Sequence, residues 1–399
     1  MIACPGPTRE PPYTAPVPGP RAVVLRPYEP RDLEGTLRLR PLAYPGWREA
    51  TATDWHVAVY DWLARSPAEA PMHRWVLDAG GEIVGHLAAV PLPYRIAGRR
   101  LVAHTPTDYM ALPGFGFHSV GLMRTFFRTC PNYVACNVIG DASRIEGLFH
   151  PVEVGRLTQA LKALDVGAYP RLPRRVPRVV ARAAGAGLRA VDAVLLAAAR
   201  GGIEVSEEPT SAFDGRFDDL LERSTAAVAC GVERSSAFLR WRYGPGTPRE
   251  PMVLLTAAAS AAGADLGGGG TPGRGLAGYA VIRTTDHAEG FVLDLTVEPG
   301  RRDVARALLA AAVRRFWRDG AFVARYRFLP SRVSPSPRDV ARLGFVVRGE
   351  DGRGLPGIAA ERRLHLLTRL ADPEAQAAAA RAEHWTYNLG DGEASFWVH

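Results

Sequence analysis

The sequence predicts an α/β (α+β) fold in which one domain occurs twice. Residues 81–127 read as three strands and a helix joined by a Gly-containing turn. The same order returns in the second half: Ile83-Val84-Gly85-His86-Leu87 has a counterpart in Leu276-Ala277-Gly278-Tyr279-Ala280, and Asp108-x4-Pro113 has one in Asp294-x4-Pro299. Both prolines precede an apolar helical pattern, Val120 to Phe127 in the first copy and Val304 to Phe316 in the second. Internal similarity of this kind implies a duplicated unit. The length of 399 residues agrees, since a domain takes roughly 100–200 residues.

Composition narrows the class. A hydrophobic share of 47% and a charged share of 23% are those of a soluble globular protein. The net charge of +8 is carried by arginine, because Lys162 is the one lysine, and this pattern fits a coding bias. Basic charge attracts phosphate-rich ligands. No basic cluster is interleaved with aromatic residues, so no nucleic-acid partner is expected. Cys4, Cys130, Cys136 and Cys230 show neither CxxC nor zinc spacing, which fits a reducing cytoplasm as the location. The ten histidines are scattered and HExxH, EF-hand and P-loop motifs are absent, so no metal is expected. No stretch reaches ~18 consecutive apolar residues, so no membrane span is expected. Residues 1–20 are Pro-rich without the apolar region of a signal peptide, and read as a disordered leader.

The elements follow in order. Ala22 to Leu39 gives a short strand, a turn at Pro27 to Pro30 and a helix started at Asp32. Trp55 to Leu63 places Trp55, Val59 and Trp62 on one side of a helix, which reads as core packing. His73 to Asp78 begins a sheet. Gly80-Gly81 turns into the apolar Ile83 to Val90, and Ala97-Gly98-Arg99 turns into Leu101 to His104. Asp108 to Leu112 is a short buried-strand pattern stopped by Pro113 and Gly114, and from Val120 the apolar residues take helical spacing. Val154 to Asp165 fits strand or helix equally. Arg171 to Arg200 is Pro/Arg-rich and then Ala-rich, a linker running into a helix packed between domains; an Arg-bearing apolar helix also suits a membrane surface. Further helices cover Phe213 to Glu222 and end at Gly244, and Met252 to Leu255 is a strand. Ala257 to Gly275, with Gly267 to Gly270 inside it, is a flexible insertion. The resulting division is leader 1–20, N-terminal domain 21–168, basic linker 169–203 and C-terminal domain 204–399.

A strand that feeds a small-residue turn and then a helix has a use. The first helical turn has unpaired N–H groups and partial positive charge, so it holds an anion. A phosphate ester is the expected ligand. Asp108-x4-Pro113 with its turn and helix resembles the core of the GNAT (N-acetyltransferase) superfamily, and so do the Cys136 to Asp141 strand end, the Ile145 to Phe149 segment and Leu343-Gly344-Phe345. The resemblance implies two tandem GNAT-like domains, each a mixed central sheet flanked by helices. It implies acetyl-CoA or another acyl-CoA in the first domain, held by Met110, Leu112, Gly114, Gly116, Phe117, His118, Ser119, Val120 and Gly121. Where the family's turn carries Arg, Gly, Gly and Gly, this chain has Gly116, Phe117, Ser119 and Gly121. A requirement for φ > 0 at Phe117 or Ser119 would cost roughly 1–2 kcal/mol per position. After Gly300 the corresponding places hold Asp303, Val304, Ala305 and Ala307, so the second domain is expected to bind cofactor poorly and to shape the acceptor site. The segments Phe238 to Tyr243 and Trp385 to Asp391 resemble features of bacterial two-GNAT proteins.

The implied reaction is N-acylation of a primary amine on an amino sugar, a peptide or a small metabolite. Positioning supplies most of the rate, with effective molarities of about 10⁵–10⁸ M, and a base adds typically 10²–10⁴-fold. Asp108 and His104 flank the strand that feeds the turn and are the candidate bases, with His86 on the neighbouring strand. Where the family places a tyrosine acid, this chain has Phe149 and Val340, so Tyr109, Ser143 or water would protonate the thiolate. Three other readings compete: a non-catalytic binding or scaffold protein with decayed turns, a Fem-type aminoacyl-tRNA-dependent aminoacyltransferase, and a serine hydrolase. The last rests on Ser119, whose surroundings fall one residue short of G-x-S-x-G.

Overall fold

A computed structural model of the chain describes residues 22–44, 53–138, 145–168, 177–248, 250–258, 275–348, 364–393 and 395. The leader 1–20, the linker residues 169–176, Ser143 and most of the Gly-rich insertion lie outside the described residues.

The first half gives β1 (Val23–Pro27), α1 (Leu33–Ala43), α2 (Thr53–Leu63), β2 (His73–Ala79), β3 (Ile83–Ile96), β4 (Arg99–Ala111), α3 (Gly116–Thr129) and β5 (Tyr133–Val138). The stretch of undecided periodicity folds as two strands, β6 (Val152–Arg156) and β7 (Thr158–Ala163). Their partners decide this: β6 pairs in one sheet and β7 in the other, so each has a ladder to complete. The helix α4 (Arg178–Arg200) then leads to β8 (Val205–Glu208), α5 (Gly215–Thr225), β9 (Cys230–Val232), α6 (Ser236–Tyr243) and β10 (Val253–Ala258). The second copy of the motif follows as β11 (Leu276–Thr284), β12 (Glu289–Val297), α7 (Arg302–Arg318) and β13 (Val323–Leu329). The chain closes with α8 (Pro337–Arg342), β14 (Val346–Arg348), β15 (Leu364–Arg369), α9 (Pro373–Ala379) and β16 (Tyr387–Asn388).

The strands form two mixed sheets, and each borrows from the other half. One runs β1-β2-β3-β4-β5-β15-β6, with β9 on β3; the other runs β14-β7-β13-β12-β11-β10-β8, with β16 on β13. Thus β15, from the C-terminal half, lies antiparallel between β5 and β6, while β7, from the N-terminal half, lies between β14 and β13. In both sheets the duplicated strands are joined in parallel, β4 with β5 and β12 with β13.

Three large cores hold these layers. Leu122, Met123 and Phe126 of α3 pack on Leu77, Leu87 and Ala135 of the first sheet. Val304, Leu308 and Phe316 of α7 do the same against Ile282, Val292 and Ala324. A third cluster joins the halves, with Trp62 and Tyr94 meeting Phe238, Tyr279, Leu293 and Trp385. At its edge Trp62 and Trp241 stack at 5.0 Å, and each indole N–H donates to the other's backbone carbonyl, at 2.7 and 2.9 Å. Trp62 and Val59 are therefore core residues, as their helical spacing implies.

Strand exchange and the shared core make the halves interdependent. A fragment of residues 1–203 lacks β15, leaving edges of β5 and β6 unpaired and one face of the joint core exposed. That fragment is expected to show no cooperative thermal transition by circular dichroism; a sharp melt with native near-ultraviolet signal would contradict this account.

Candidate functional site

The aspartate shared by the two repeats sits beside a β-bulge in both. In β4, His86 faces Met110 and Ala88 faces Thr107, so Asp108 and Tyr109 share one place in the ladder. Asp108 takes φ of 52°, in the left-handed region that side chains seldom adopt. In β12 the register against β11 shifts between Asp294 and Val292. A bulge bends its strand, and β4 accordingly shares a single rung with β5, His104 opposite Tyr133, before the two diverge. The opening leads towards the start of α3. The second pair stays together longer, over Glu289–Val292 against Val323–Tyr326.

The second opening is filled by the chain itself. There β16 pairs with the end of β13. Asn388 donates from Nδ2 to Asp294 at 3.0 Å and accepts from the Tyr326 hydroxyl at 3.1 Å. Arg234 bridges Asp294, at 3.2 Å, and Asp391, all three buried. At the start of α7 the Asp303 carboxylate accepts from Arg301 at 3.0 Å, placing an anion where a phosphate would need a donor.

In the first opening, among the described residues, no strand intervenes between β4 and β5. On the side facing the second half, Thr107 Oγ1 donates to Glu393 Oε1 at 3.0 Å, and a Cβ at Gly392 would lie 3.4 Å from Cys136 Cβ. The C-terminal segment thus crosses from β5 to β4. On the side facing α3, Glu146 accepts from Asn137 Nδ2 at 2.9 Å and from the Tyr133 hydroxyl at 3.3 Å. Burial pushes the Glu146 carboxyl up to about 7, with the charge of Glu393 adding to the rise.

The start of α3 is open. Gly114 takes φ of 90° in the turn, Phe115 gives no side-chain cap, and Gly116, Phe117 and His118 are exposed, Phe117 by 88%. Phe117 and Ser119 lie within the helix, so the strain considered for a positive φ does not arise at either. Ser119 is buried and its hydroxyl donates to Gly116 O at 2.6 Å, which leaves the hydrolase reading without a nucleophile directed at a histidine. Gly121 faces β1, where a Cβ would meet Leu25 at 3.3 Å, and Val120 is half-buried. Met110 is buried among Leu39, Val76 and Ile83, with Leu112 packed at the edge of that cluster.

The candidate bases are separated. Asp108 pairs with Arg40 and accepts from the Tyr60 hydroxyl at 2.6 Å, so its carboxylate is committed to the bulge. Its backbone oxygen lies 3.2 Å from His86 Nδ1, and burial beside Arg74 pushes the His86 pKa down to about 3. His104 neighbours His73 and Cys130 instead. The Tyr109 hydroxyl donates to Ser119 O at 2.9 Å and burial pushes its pKa up to about 12. Glu146 and Glu393 escaped the sequence reading. Glu146 left a trace, as the lone acid of Ile145-Glu146-Gly147-Leu148-Phe149; Glu393 left none, because its relevance depends on where the C-terminus crosses.

Two variants test this geometry. Asp108→Ala removes the carboxylate paired with buried Arg40 and should cost about 3–5 kcal/mol of unfolding free energy in urea titrations. A loss under about 1 kcal/mol would show that the pair does not hold the bulge. The Glu146 carboxyl rises from 4.5 to about 7 on folding, so its proton favours the folded state and that contribution is lost as pH climbs from 4.5 to 7. Glu146→Gln should reduce the fall in stability over this window by roughly 3 kcal/mol, and an unchanged pH slope would refute the assignment.

No protein-family model matches the sequence, and no curated protein matches it. Solved structures do match. A GCN5-related N-acetyltransferase from Kribbella flavida is 16% identical, covering 90% of this chain and 74% of its own, with a TM-score of 0.52. A tandem GNAT protein from the clavulanic acid biosynthesis pathway is 16% identical, covering 88% and 99%, with a TM-score of 0.50. Saccharomyces cerevisiae N-myristoyltransferase, solved with myristoyl-CoA, is 10% identical, covering 93% and 91%, with a TM-score of 0.52. Among the described residues no helix is long and apolar enough to cross a membrane. With its two bulged, parallel-paired sheets and these similarities, the chain has the GNAT fold in two tandem copies.

Proposed function

We propose that the chain is an acyl-CoA-dependent N-acyltransferase, with acetyl-CoA or a longer acyl-CoA in the first half and an amine acceptor approaching from the second. The observation that carries this reading is the opening between β4 and β5, which has the uncapped start of α3 at its mouth and a carboxyl on either side. The second opening contains Asn388, so one cofactor per chain is expected. The cofactor phosphates would take the exposed amides of Gly116 and Phe117. The myristoyl-CoA seen in a neighbour of the same fold suggests testing long chains as well as acetyl.

In the reaction the amine nitrogen attacks the thioester carbonyl carbon. The C–N bond forms, the C–S bond breaks and CoA leaves as the thiolate. Glu393, on the side of the second half, accepts the proton lost by the amine. Glu146, on the side of α3, is half-protonated near neutrality and donates a proton to the thiolate, replacing the tyrosine that Phe149 and Val340 do not supply. Asp108 and Tyr60 shape the bulge, and the backbone it turns positions the acyl group.

Calorimetric titration with acetyl-CoA, free CoA and myristoyl-CoA tests the cofactor, and absence of binding to all three would end this reading. Thiol release with glucosamine and a peptide amine then follows turnover. Glu393→Gln should lower kcat about 10²–10⁴-fold with CoA affinity kept. Because Glu146 must be protonated to act, kcat should fall as pH rises above about 7, and Glu146→Gln should remove that limb. A retained limb would exclude Glu146 as the acid.

A further inference from the structure

Away from the carboxyls, three side chains with soft or borderline donor atoms converge. His73 starts β2, His104 lies in β4 and Cys130 follows α3, and one ligand atom from each lies within 4.8 Å of the other two. The two imidazoles are 5.7 Å apart with planes tilted by 35°, and His73 stacks on Trp75 at 5.7 Å. His104 and Cys130 are buried; His73 is half-buried and gives access from solvent.

His104 carries the second observation. Its side chain is more than nine-tenths buried, and its Nδ1 has no hydrogen-bond partner. Nε2 stands 3.4 Å from the Pro71 carbonyl, an arrangement that places the N–H there and leaves a lone pair on Nδ1. A buried acceptor without a donor is costly. A histidine that donates one N–H to a backbone carbonyl and keeps the other nitrogen free is how metal-binding imidazoles are oriented.

We propose that His73, His104 and Cys130 bind one zinc ion, with water completing a tetrahedron on the half-exposed His73 side. Two imidazoles and one thiolate suit zinc, and its bond lengths place neighbouring donor atoms roughly 3.4–3.6 Å apart. Side-chain rotation closes the remaining gap of about 1 Å. Binding displaces the Cys130 thiol proton to solvent, and the thiolate offsets one of the two metal charges. The location gives the ion a positioning role. His104 forms the one rung between β4 and β5, and Cys130 immediately follows α3, so the metal ties β2, β4 and α3 at the closed end of the proposed acyl-CoA opening.

The test uses the full-length protein after chelator treatment and dialysis. Cobalt(II) titration should saturate at one equivalent with a thiolate-to-cobalt charge-transfer band, and zinc should displace it. Cys130→Ala should abolish the band. His73→Asn, at a half-buried position, should weaken cobalt binding at least tenfold while far-ultraviolet circular dichroism stays native, so the outcome does not depend on the buried variant folding. A native protein with no charge-transfer band, or a His73→Asn protein with undiminished affinity, would overturn the proposal. These readouts are independent of acyl transfer, so they stand apart from the fate of the enzymatic reading.

Discussion

A buried sheet must pair its backbone, and in this molecule each sheet completes its ladder with a strand encoded in the other half. The N-terminal sheet would end at an open β5 edge without β15, and the C-terminal sheet would have β13 exposed without β7. Hydrogen bonding thereby couples the halves before any side chain is considered. The joint core around Trp62, Tyr94, Phe238 and Trp385 adds apolar burial to the same coupling. The relative placement of the two bulges, and hence of one proposed site against its acceptor face, follows from this exchange.

Within that frame the repeats have diverged by what enters the opening beyond each bulge. The second receives its own C-terminal strand, and Asp294 is satisfied by Asn388 and Arg234. Among the described residues the first receives the crossing at Gly392 and Glu393, with Asp108 drawn aside by Arg40 and Tyr60. The same aspartate in the same position therefore anchors a plug in one copy and a strained turn in the other. One C-terminal segment serves both, filling the second opening and then lining the first.

A few of the many arginines form buried pairs that join distant elements. Arg325 meets Glu289 at 2.9 Å across β12 and β13, and Arg234 ties the chain's end to β12. The single lysine behaves alike: Lys162 on β7 contacts Asp192 of α4 at 2.5 Å and the Leu343 carbonyl at 2.9 Å. This pair fixes the linker helix by one face while Val179, Val191 and Val194 of its other face are exposed. Such pairs gain little net stability over apolar contacts, but losing one partner is costly, so they favour one arrangement of the elements.

How much of this the sequence carries depends on the distance over which each feature is encoded. The repeat, the stop at Pro113 and the helix through Phe127 were legible, because they follow from local periodicity and turn chemistry within one stretch, whereas the two short strand patterns Leu101 to His104 and Asp108 to Leu112 belong to one strand, β4. The same local information could not choose strand or helix for residues 154–165, since the choice came from partners in two different sheets. Nor could it separate His104 from Asp108: on one strand, they have different neighbours, and the bulge at Asp108 and Tyr109 breaks the alternation there. Glu146 opposite Glu393, and His73 beside His104 and Cys130, exist only once strands far apart in the chain are brought together. Local sequence determined the elements and their duplication through backbone preference and apolar spacing. Tertiary structure decided which openings are filled and which charged or metal-binding groups meet, because those outcomes depend on distances between residues that no local pattern relates.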